Sequence, residues 1–478
     1  MRTRLFSIVL LLSLGFCLPA MAEDRINVTD PAYAGGAIPN DGQDDTAAIN
    51  AAVNAGPANA GRSIYFPPGS YNYTGFIWLP ANTSYRFYGD GPGVSTIVFT
   101  GNPSGGIWGY NMGSATLQVD GLTLQANSRA CGTAIYAVFN PSGSNDKVRS
   151  ATIHNVQIIR SLQGNSVAGF WNGGIYLERA QNAVIDKAEI IGLPRFQDGV
   201  MGAGPWEQPR PPFGISNTPV EKGDVVAGAD PGWGDPGQDY GIKWVSSNDY
   251  KTTGLQLSNL MIWWCNAALQ TSGWVEGLYL NGFEFAFCGD FGVPVIDLSS
   301  SAPNLGSAFH LVNGHVGALQ NGIRLTNLRG AKVSKILFIH VSGAYADPCC
   351  DDNGQPEGCH PRPACNTLPY TSSGDDLALN SSTDAVISAN SFVGVGTDET
   401  DENCILLNNS HSVQISENYF THVLPVNPVD ACIKILFSSN LVRVINNVFE
   451  LNGNNPYGGV NRPYNDAATD TYYRGNTQ

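Results

Sequence analysis

Three stretches in the C-terminal half of the chain decide the fold: Asp376–Asn380 (DLALN), Cys404–Asn408 (CILLN) and Cys432–Leu436 (CIKIL). Each stretch begins 28 residues after the one before it. Apolar side chains occupy every second position in each of them, as in a short half-buried β-strand. A unit of this size cannot bury its apolar positions alone, so the fixed period indicates coils that stack into a solenoid.

A second strand is predicted in each of these coils. The three segments are Val386–Phe392, Val413–Phe420 and Val442–Phe449. Their final phenylalanines are separated by 28 and 29 residues, and an asparagine two residues earlier keeps the same step. In a stack of coils these side chains form ladders at about 4.8 Å per coil.

The short pattern recurs upstream and becomes weaker toward the N terminus. The upstream copies are Gly322–Leu325, Gly292–Val295, Asn266–Leu269, Gly241–Trp244, Gly174–Leu177, Thr133–Ala137 and Ile107–Tyr110. A β-sandwich is the rival all-β fold, but it has no reason to keep a period of about 25–30 residues. The sequence therefore predicts an all-β chain folded as a right-handed parallel β-helix of about ten coils.

Composition and the first residues point to an exported protein. Arg2 and Arg4 precede an apolar run, Leu5–Leu18, which is followed by the small-x-small cleavage signal Ala20–Ala22. The alternative, a membrane anchor, needs a longer apolar run. Loss of the two arginines changes the formal charge from -15 to -17. We predict secretion or a periplasmic location, no membrane insertion, and no nucleic acid partner, because so acidic a body repels phosphates.

A recognisable segment lies near the N terminus. The sequence Asn40–Val53 (NDGQDDTAAINAAV) is followed by Ser63–Tyr71 (SIYFPPGSY). Together they resemble the N-terminal part of the pectate-lyase-like superfamily, which is related to family 28 glycosidases and phage tailspikes. The residues agree with that resemblance, since Asp44 or Asp45 can cap a short helix from Thr46 to about Ala55 that covers the open end of the solenoid.

Acidic residues recur just before the first strand of successive coils, and they are the candidate catalytic groups. In a solenoid they line one rim, and carboxylates close together shift each other's pKa values, as acid/base chemistry requires. Solvated or helix-capping acids are the alternative interpretation. The residues, with one glutamine among them, are Asp239, Asp290, Gln320, Asp375, Asp376, Asp401, Glu402 and Asp430.

The segment Gly374–Leu379 (GDDLAL) resembles the Gly-Asp-Asp strand start of family 28 glycosidases. That resemblance implies a general acid and a water-activating base at Asp375 and Asp376. It extends no further, because Val393–Gly396 stands where the family has Gly-His-Gly and the Arg-Ile-Lys motif is absent.

Two insertions, 195–238 and 345–373, interrupt the repeat and are candidates for the walls of a binding groove. The first carries Trp206 and Trp233, whose aromatic faces suit sugar rings. The second carries Cys349, Cys350, Cys359 and Cys365. Two disulfides are the simplest use of these cysteines in an exported protein, and a zinc site with His360 and the adjacent aspartates is the alternative.

Two further cysteine pairs are candidates for contact. Cys404 and Cys432 occupy one position in consecutive coils, where the spacing permits a bond. Cys265 and Cys288 are candidate neighbours, whereas Cys131 is predicted to be unpaired and buried. The predicted divisions are 1–22 signal peptide, 23–100 N-terminal cap and first coils, 101–460 β-helix, and 461–478 C-terminal tail.

Three functions fit these features. The first is a glycoside hydrolase with Asp375 or Asp376 as acid and Asp401 or Glu402 placing a water; carboxyl separations near 5 Å predict retention and wider ones inversion. The second is a lyase or C5-epimerase of an acidic polysaccharide. Its base would be Lys243 or Arg324, which with Tyr176 and Lys434 are predicted to face outward. The third is a non-catalytic adhesin.

The cofactor and partner predictions follow from these functions. A hydrolase of this kind needs no cofactor and no metal, whereas a lyase can use Ca²⁺ held by Asp290, Asp375 and Asp376. The predicted substrate-binding residues are Asp239, Lys243, Asp290, Arg324, Trp206 and Trp233. The predicted partner is a polysaccharide, and the chain is predicted to be a monomer or a homotrimer.

Overall fold

The structure is a computed structural model of the chain. It describes residues 25–56, 61–101, 105–128, 131–140, 149–163, 166–192, 238–247, 250–289, 293–302, 306–318, 321–340, 375–394, 403–421, 431–436, 438–450, 464–466 and 470–476. These residues form a parallel β-helix with one helix, α1 (Thr46–Val53). The predicted all-β fold, a right-handed parallel β-helix with a short N-terminal helix, is confirmed.

Sheet B has one strand from each coil, and all of its strands pair in parallel. In chain order its strands are β4 (Gly75–Trp78), β7 (Gly105–Gly109), β9 (Thr133–Val138), β12 (Gly173–Glu178), β14 (Gln238–Val245), β16 (Cys265–Ser272), β18 (Ile296–Ser299), β21 (Ile323–Thr326), β24 (Leu377–Asn380), β27 (Ile405–Asn408), β30 (Ile433–Ile435) and β33 (Tyr464–Asp466). The sequence predicted about ten coils. The described residues contain twelve, because one further coil lies at each end of the predicted ones.

Sheet A covers the other sides of each coil. Its twenty strands are β1 (Arg25–Asn27), β2 (Arg62–Phe66), β3 (Gly69–Tyr73), β5 (Tyr85–Gly89), β6 (Ser95–Phe99), β8 (Leu117–Ala126), β10 (Ala151–Gln163), β11 (Ser166–Gly169), β13 (Val184–Ile191), β15 (Thr252–Trp263), β17 (Val275–Cys288), β20 (Phe309–Ala318), β23 (Lys332–His340), β25 (Val386–Ser388), β26 (Ser391–Gly394), β28 (Gln414–Ser416), β29 (Tyr419–Thr421), β31 (Val442–Ile445), β32 (Val448–Glu450) and β34 (Thr471–Arg474). A two-stranded sheet pairs β19 (Gly306–Ser307) with β22 (Leu328–Arg329).

The core is built from ladders of identical or similar side chains. One apolar residue of each sheet B strand points inward, and register aligns these residues from coil to coil, each no more than 1% exposed. They are Ile77, Ile107, Ile135, Ile175, Ile242, Leu269, Ile296, Ile323, Leu377, Ile405 and Ile433. Burial of each such side chain stabilises the fold by about 1.5–3 kcal/mol, which is why the period dominates the sequence.

The predicted second strand of each C-terminal coil is in fact two short strands that meet at a corner. The predicted segment Val413–Phe420, for example, is divided into β28 and β29 around Glu417, whose φ is 59°. A residue in the left-handed region bends the chain, and the same bend recurs in eleven successive coils. The corner residues are Gly121, Asn155, Lys187, Asn259, Gly282, Asn313, Lys335, Ala389, Glu417, Asn446 and Gly475.

Two other expectations need correction. The predicted coil start at Gly292–Val295 is three residues early, because the inward residue that aligns with Ile323 is Ile296. Asp45 precedes α1, but its carboxylate does not cap the helix. It accepts hydrogen bonds from the backbone N–H groups of Ile38 and Asn72 instead, and Asp44 accepts from the Thr46 N–H. Asp45 therefore fixes the helix to the first coils.

An asparagine ladder lies inside the corner. The Asn418 side chain is 1% exposed, accepts from the backbone and side-chain N–H groups of Asn390, and donates to Ile387 and Asn447. We expect Asn418→Ala to lower the free energy of unfolding by about 2–4 kcal/mol, because it leaves buried groups of Asn390 unsatisfied. Urea denaturation measures this effect. Asn408→Ala is the matched control, since Asn408 makes a similar side-chain ladder contact but is exposed. Equal losses in the two variants would show that the buried ladder has no special role.

The five described cysteines, Cys131, Cys265, Cys288, Cys404 and Cys432, are in the thiol form. Cys265 and Cys288 are neighbours as predicted, with 3.5 Å between the Cys265 backbone nitrogen and the Cys288 Sγ. Cys131 is fully buried, and burial raises the pKa of its thiol to about 11. Cys404 and Cys432 occupy one position in consecutive coils as predicted, since they precede paired strands, but no disulfide joins them.

Candidate active site

Outward-facing side chains from eleven strands of sheet B lie in a single row along the solenoid. Each member of this central row comes one residue after an inward-pointing residue of the ladder, so it points away from the core. The row contains Trp78, Trp108, Tyr136, Tyr176, Lys243, Gln270, Asp297, Arg324, Ala378, Leu406 and Lys434. Tyr176, Lys243, Arg324 and Lys434 were predicted to face outward, and all four lie in this row.

The N-terminal part of the central row is aromatic. The Tyr136 ring stacks on Trp108 at 4.3 Å between centroids and on Tyr176 at 4.7 Å. Tyr240 lies beside this stack, where Gly173 leaves room for its ring, and its hydroxyl is 2.9 Å from Thr133 Oγ1. Burial raises the pKa of Tyr240 to about 12 and also raises the pKa of Tyr176. Both phenols therefore stay protonated at neutral pH, and the Tyr176 hydroxyl donates to Glu178 Oε2 at 3.1 Å.

Lys243 is the first charged residue after the aromatic stack. Its Nζ is 5.5 Å from the centroid of the Tyr240 ring, a cation–π distance. Among the described residues, no carboxylate lies within salt-bridge distance of this ammonium group. Lys243 is flanked in the row by Tyr176 and Gln270. It is therefore a cation available to an acidic ligand.

Arg324 is held differently. Its Nε and Nη2 atoms donate to the two carboxylate oxygens of Asp297 at 3.0 and 2.7 Å. These hydrogen bonds raise the pKa of Arg324 above its already high usual value. A guanidinium held in this way can bind a ligand but is a poor proton acceptor. Of the two bases predicted for an elimination reaction, the geometry disfavours Arg324 and leaves Lys243.

Asp375 and Asp376 immediately precede β24, the strand that pairs with the strand of Arg324. Asp376 is 5% exposed, and Asp375 is half-buried. The Asn403 side chain donates to Asp375 Oδ1 at 3.0 Å and accepts from the backbone N–H of Ala431, so it links three coils. A Cβ on Gly322 would lie 2.2 Å from the Asp376 carbonyl oxygen, so a glycine at this position lets the two coils approach. The structure thus presents two adjacent carboxyl groups, one of them nearly buried, at the N-terminal end of β24 in sheet B.

Asp239 also lies near the N-terminal end of its sheet B strand, but it is not beside Asp375 and Asp376. Its strand, β14, is four strands from β24, which corresponds to about 19 Å. The Asn266 side chain is 3.4 Å from Asp239 Oδ1. Asp239 is also three residues before the inward Ile242, whereas Asp376 is one residue before the inward Leu377. Asp239 and Asp376 therefore lie at the same end of the sheet B strands, but they do not occupy the same position in their coils.

Several predicted site residues lie outside the described residues. They are Asp290, Asp401, Glu402, Asp430, Gln320, Trp206, Trp233 and the four cysteines of the 345–373 insertion. The predicted signal peptide, 1–22, lies outside as well. Within the described ranges no group of three or more His, Cys, Asp or Glu side chains is placed to hold a metal ion. No helix in the same ranges is long and apolar enough to cross a membrane.

Of the aromatic part of the central row, only Tyr176 was predicted from the sequence to face outward. Four strands carry an isoleucine followed directly by an aromatic residue, namely Ile77–Trp78, Ile107–Trp108, Ile135–Tyr136 and Ile175–Tyr176. This dipeptide marks the inward and outward positions of each coil and could have revealed the row. It was hidden because the spacings of 30, 28 and 40 residues are less regular than the C-terminal period.

Comparisons with known proteins agree with this geometry. The family model described as Rhamnogalacturonase A/epimerase, pectate lyase-like, matches residues 26–121. The structure of DFA-IIIase from Arthrobacter chlorophenolicus A6, without its lid and in complex with GF2, superposes with a TM-score of 0.52 at 11% identity, covering 93% of this chain and 99% of that one. The chain has the pectate-lyase-like fold.

A second solved structure superposes less closely. The A-module of the mannuronan C-5 epimerase AlgE6 from Azotobacter vinelandii gives a TM-score of 0.48 at 12% identity, covering 95% of this chain and 99% of that one. No curated protein sequence matches the chain. At these identities the likeness concerns the pectate-lyase-like fold, and the chemistry has to be argued from the site.

Proposed function

We propose that this pectate-lyase-like protein is a carbohydrate-active enzyme that hydrolyses glycosidic bonds of a polysaccharide. The observation that carries the proposal is the pair Asp375–Asp376 at the edge of a long outward face lined by aromatic and charged side chains. The family description, which names a rhamnogalacturonase and an epimerase, supports a carbohydrate substrate.

We propose that the two carboxyl groups divide the roles that glycoside hydrolysis requires. Asp376 is almost removed from water, as is typical of a general acid in a glycosidase. Asp375 is half-buried and accepts a hydrogen bond from Asn403. We therefore propose Asp376 as the proton donor to the leaving oxygen.

A second carboxylate is needed to place the water or to attack the sugar. We propose Asp401 or Glu402 for this role. Support comes from Asn403, which follows Glu402 directly in the chain and contacts Asp375. Arg324, one strand further along, and Asp297, two strands along, would bind the sugar next to the cleaved bond.

A lyase or C5-epimerase is the second candidate, and Lys243 favours it. A cation near two phenols and without a carboxylate partner among the described residues fits removal of a C5 proton beside a uronate carboxyl group. In that case Ca²⁺ held by Asp290 and the Asp375–Asp376 pair is the proposed cofactor. A non-catalytic adhesin is the third possibility that an experiment has to separate.

One assay separates these functions. A panel of neutral and acidic polysaccharides is incubated with the protein, and both new reducing ends and the ultraviolet absorbance of unsaturated sugars are measured. We expect reducing ends without that absorbance, loss of activity in Asp376→Asn, and little change in Lys243→Gln. Unsaturated products that disappear in Lys243→Gln would establish the lyase. Binding with unchanged polymer length would establish the adhesin.

A further inference from the structure

We propose that the N-terminal end of sheet B is a second binding platform for the polysaccharide, so that the protein holds a long polymer rather than a short oligosaccharide. This inference rests on the proposed function, because it assigns a further contact to the same substrate. The platform is defined by six aromatic residues, Phe76, Trp78, Trp108, Tyr110, Tyr136 and Tyr176.

The platform is exposed in a way that core packing does not explain. The interior phenylalanines of the solenoid stack just as regularly, but they are fully buried. Trp78 and Tyr110, in contrast, are 55% and 65% exposed. Aliphatic or small polar side chains at these positions would also pair across neighbouring strands. They would leave less apolar surface exposed to water than the aromatic rings do. Contiguous exposed apolar surface of this kind marks an interaction site.

The geometry of Trp78 leaves its ring suited to a flat ligand. Its plane is tilted by 66° from Phe76 and by 68° from Trp108, and within the described part of the chain no parallel ring covers either of its faces. Tyr136, in contrast, is covered on both faces by Trp108 and Tyr176, with interplanar angles of 15° and 7°. The Trp78 ring is therefore the stacking surface of the platform, and the hydroxyl of Tyr136 is its polar edge.

The chemistry of the platform selects the occupant. Strands β4, β7 and β9 contain no charged residue. An anionic nucleic acid has no counter-charge on these three strands, and Glu178 of β12 is hydrogen-bonded to Tyr176 at 3.1 Å. The C–H face of a pyranose ring matches an uncharged aromatic surface. The platform also continues without a break into the row of Lys243, Gln270, Asp297 and Arg324. A polysaccharide is therefore the ligand we assign to it.

The distance between the platform and the carboxyl pair sets the length of that ligand. Strand β4 is eight strands from β24 in sheet B, which corresponds to about 38 Å. A trisaccharide bound at Asp376 cannot reach Trp78, but a polymer lying along the central row can. The platform should therefore affect polymers and leave short oligosaccharides unaffected.

The test compares Trp78→Ala, Trp78→Phe and Tyr472→Ala in the full chain. Tyr472 is the matched control, since it is 53% exposed but lies on sheet A. The probes are polygalacturonate, rhamnogalacturonan, xylan and α-1,3-glucan, each beside its own trisaccharide. For the polymer that binds, we expect Trp78→Ala to raise the Kd and KM by about 3- to 10-fold. Trp78→Phe and Tyr472→Ala should stay close to wild type, and kcat on the trisaccharide should be unchanged in all three variants.

Two binding results would overturn the inference. One is polymer binding by Trp78→Ala that is as tight as binding by Tyr472→Ala. The other is a wild-type protein that binds none of the polymers more tightly than the matching trisaccharide.

Failure of the proposed function is detected separately. Full activity of Asp376→Asn would remove the catalytic assignment, while a loss of polymer affinity in Trp78→Ala would still establish the platform. Self-association that is lost in Trp78→Ala, without polymer binding, would show that a second copy of the chain occupies the surface and would also overturn the inference.

Discussion

Asp376→Asn is expected to lower the rate of glycosidic bond hydrolysis by about 10²- to 10⁴-fold while leaving the fold intact. Asparagine has nearly the same shape as the aspartate but cannot donate a proton to the leaving oxygen. Asp376 is 5% exposed and sits between Gly322 and Cys404 of the neighbouring coils, so an isosteric change is the one that keeps its surroundings. Initial rates from reducing-end production measure the effect.

The control for this variant lies in the same coil. Asp384 is exposed and pairs with Arg329 at 3.1 Å, away from sheet B. An exposed pair of this kind contributes about 0–1 kcal/mol to stability, so Asp384→Asn should change the rate less than twofold. If Asp376→Asn retains wild-type activity, the carboxyl pair is not the catalytic centre. Substrates with a good leaving group add a further check, because they need less proton donation and should restore part of the rate.

The second large effect concerns stability. Phe420→Ala is expected to lower the free energy of unfolding by about 3–5 kcal/mol. The Phe420 ring is fully buried and stacks between Phe392 at 4.9 Å and Phe449 at 4.8 Å. Each neighbour is held by its own coil, so the stack cannot close over the cavity that the substitution leaves. Guanidinium denaturation followed by circular dichroism measures the change.

Val448→Ala is the matched control for the phenylalanine ladder. Val448 directly precedes Phe449 in β32, but it faces outward and is 40% exposed. We expect it to change the free energy of unfolding by less than about 0.5 kcal/mol. A loss in Phe420→Ala that is no larger than the loss in Val448→Ala would contradict the role given to the stacked ladder.

The sequence predicted the solenoid well where the coils are uniform. Between Leu377 and Ile433 the inward residues recur every 28 residues, and the ladder requires this regularity. The coil around Ile296 was predicted three residues early, because Val293 and Val295 alternate around Pro294 in the same way as a strand would. The corner at Glu417 was not predicted, since a left-handed φ at a glutamate has no compositional signal.

The candidate site was predictable only in part. The outward orientation of Lys243 and Arg324 follows from strand alternation, which the sequence shows directly. The ion pair between Arg324 and Asp297 depends on which coil is next in space, and therefore on register. Asp375 and Asp239 were predicted on one rim, but the number of coils between them could be counted only after every strand was located.

The measurement that tests the central claim most directly is a crystal structure of the Asp376→Asn variant with an oligosaccharide of the polymer that the wild type cleaves. We predict sugar rings along the outer face of sheet B, with a glycosidic oxygen within hydrogen-bond distance of the side chain at position 376. Sugar bound only on sheet A, or on sheet B with no ring near position 376, would contradict the account.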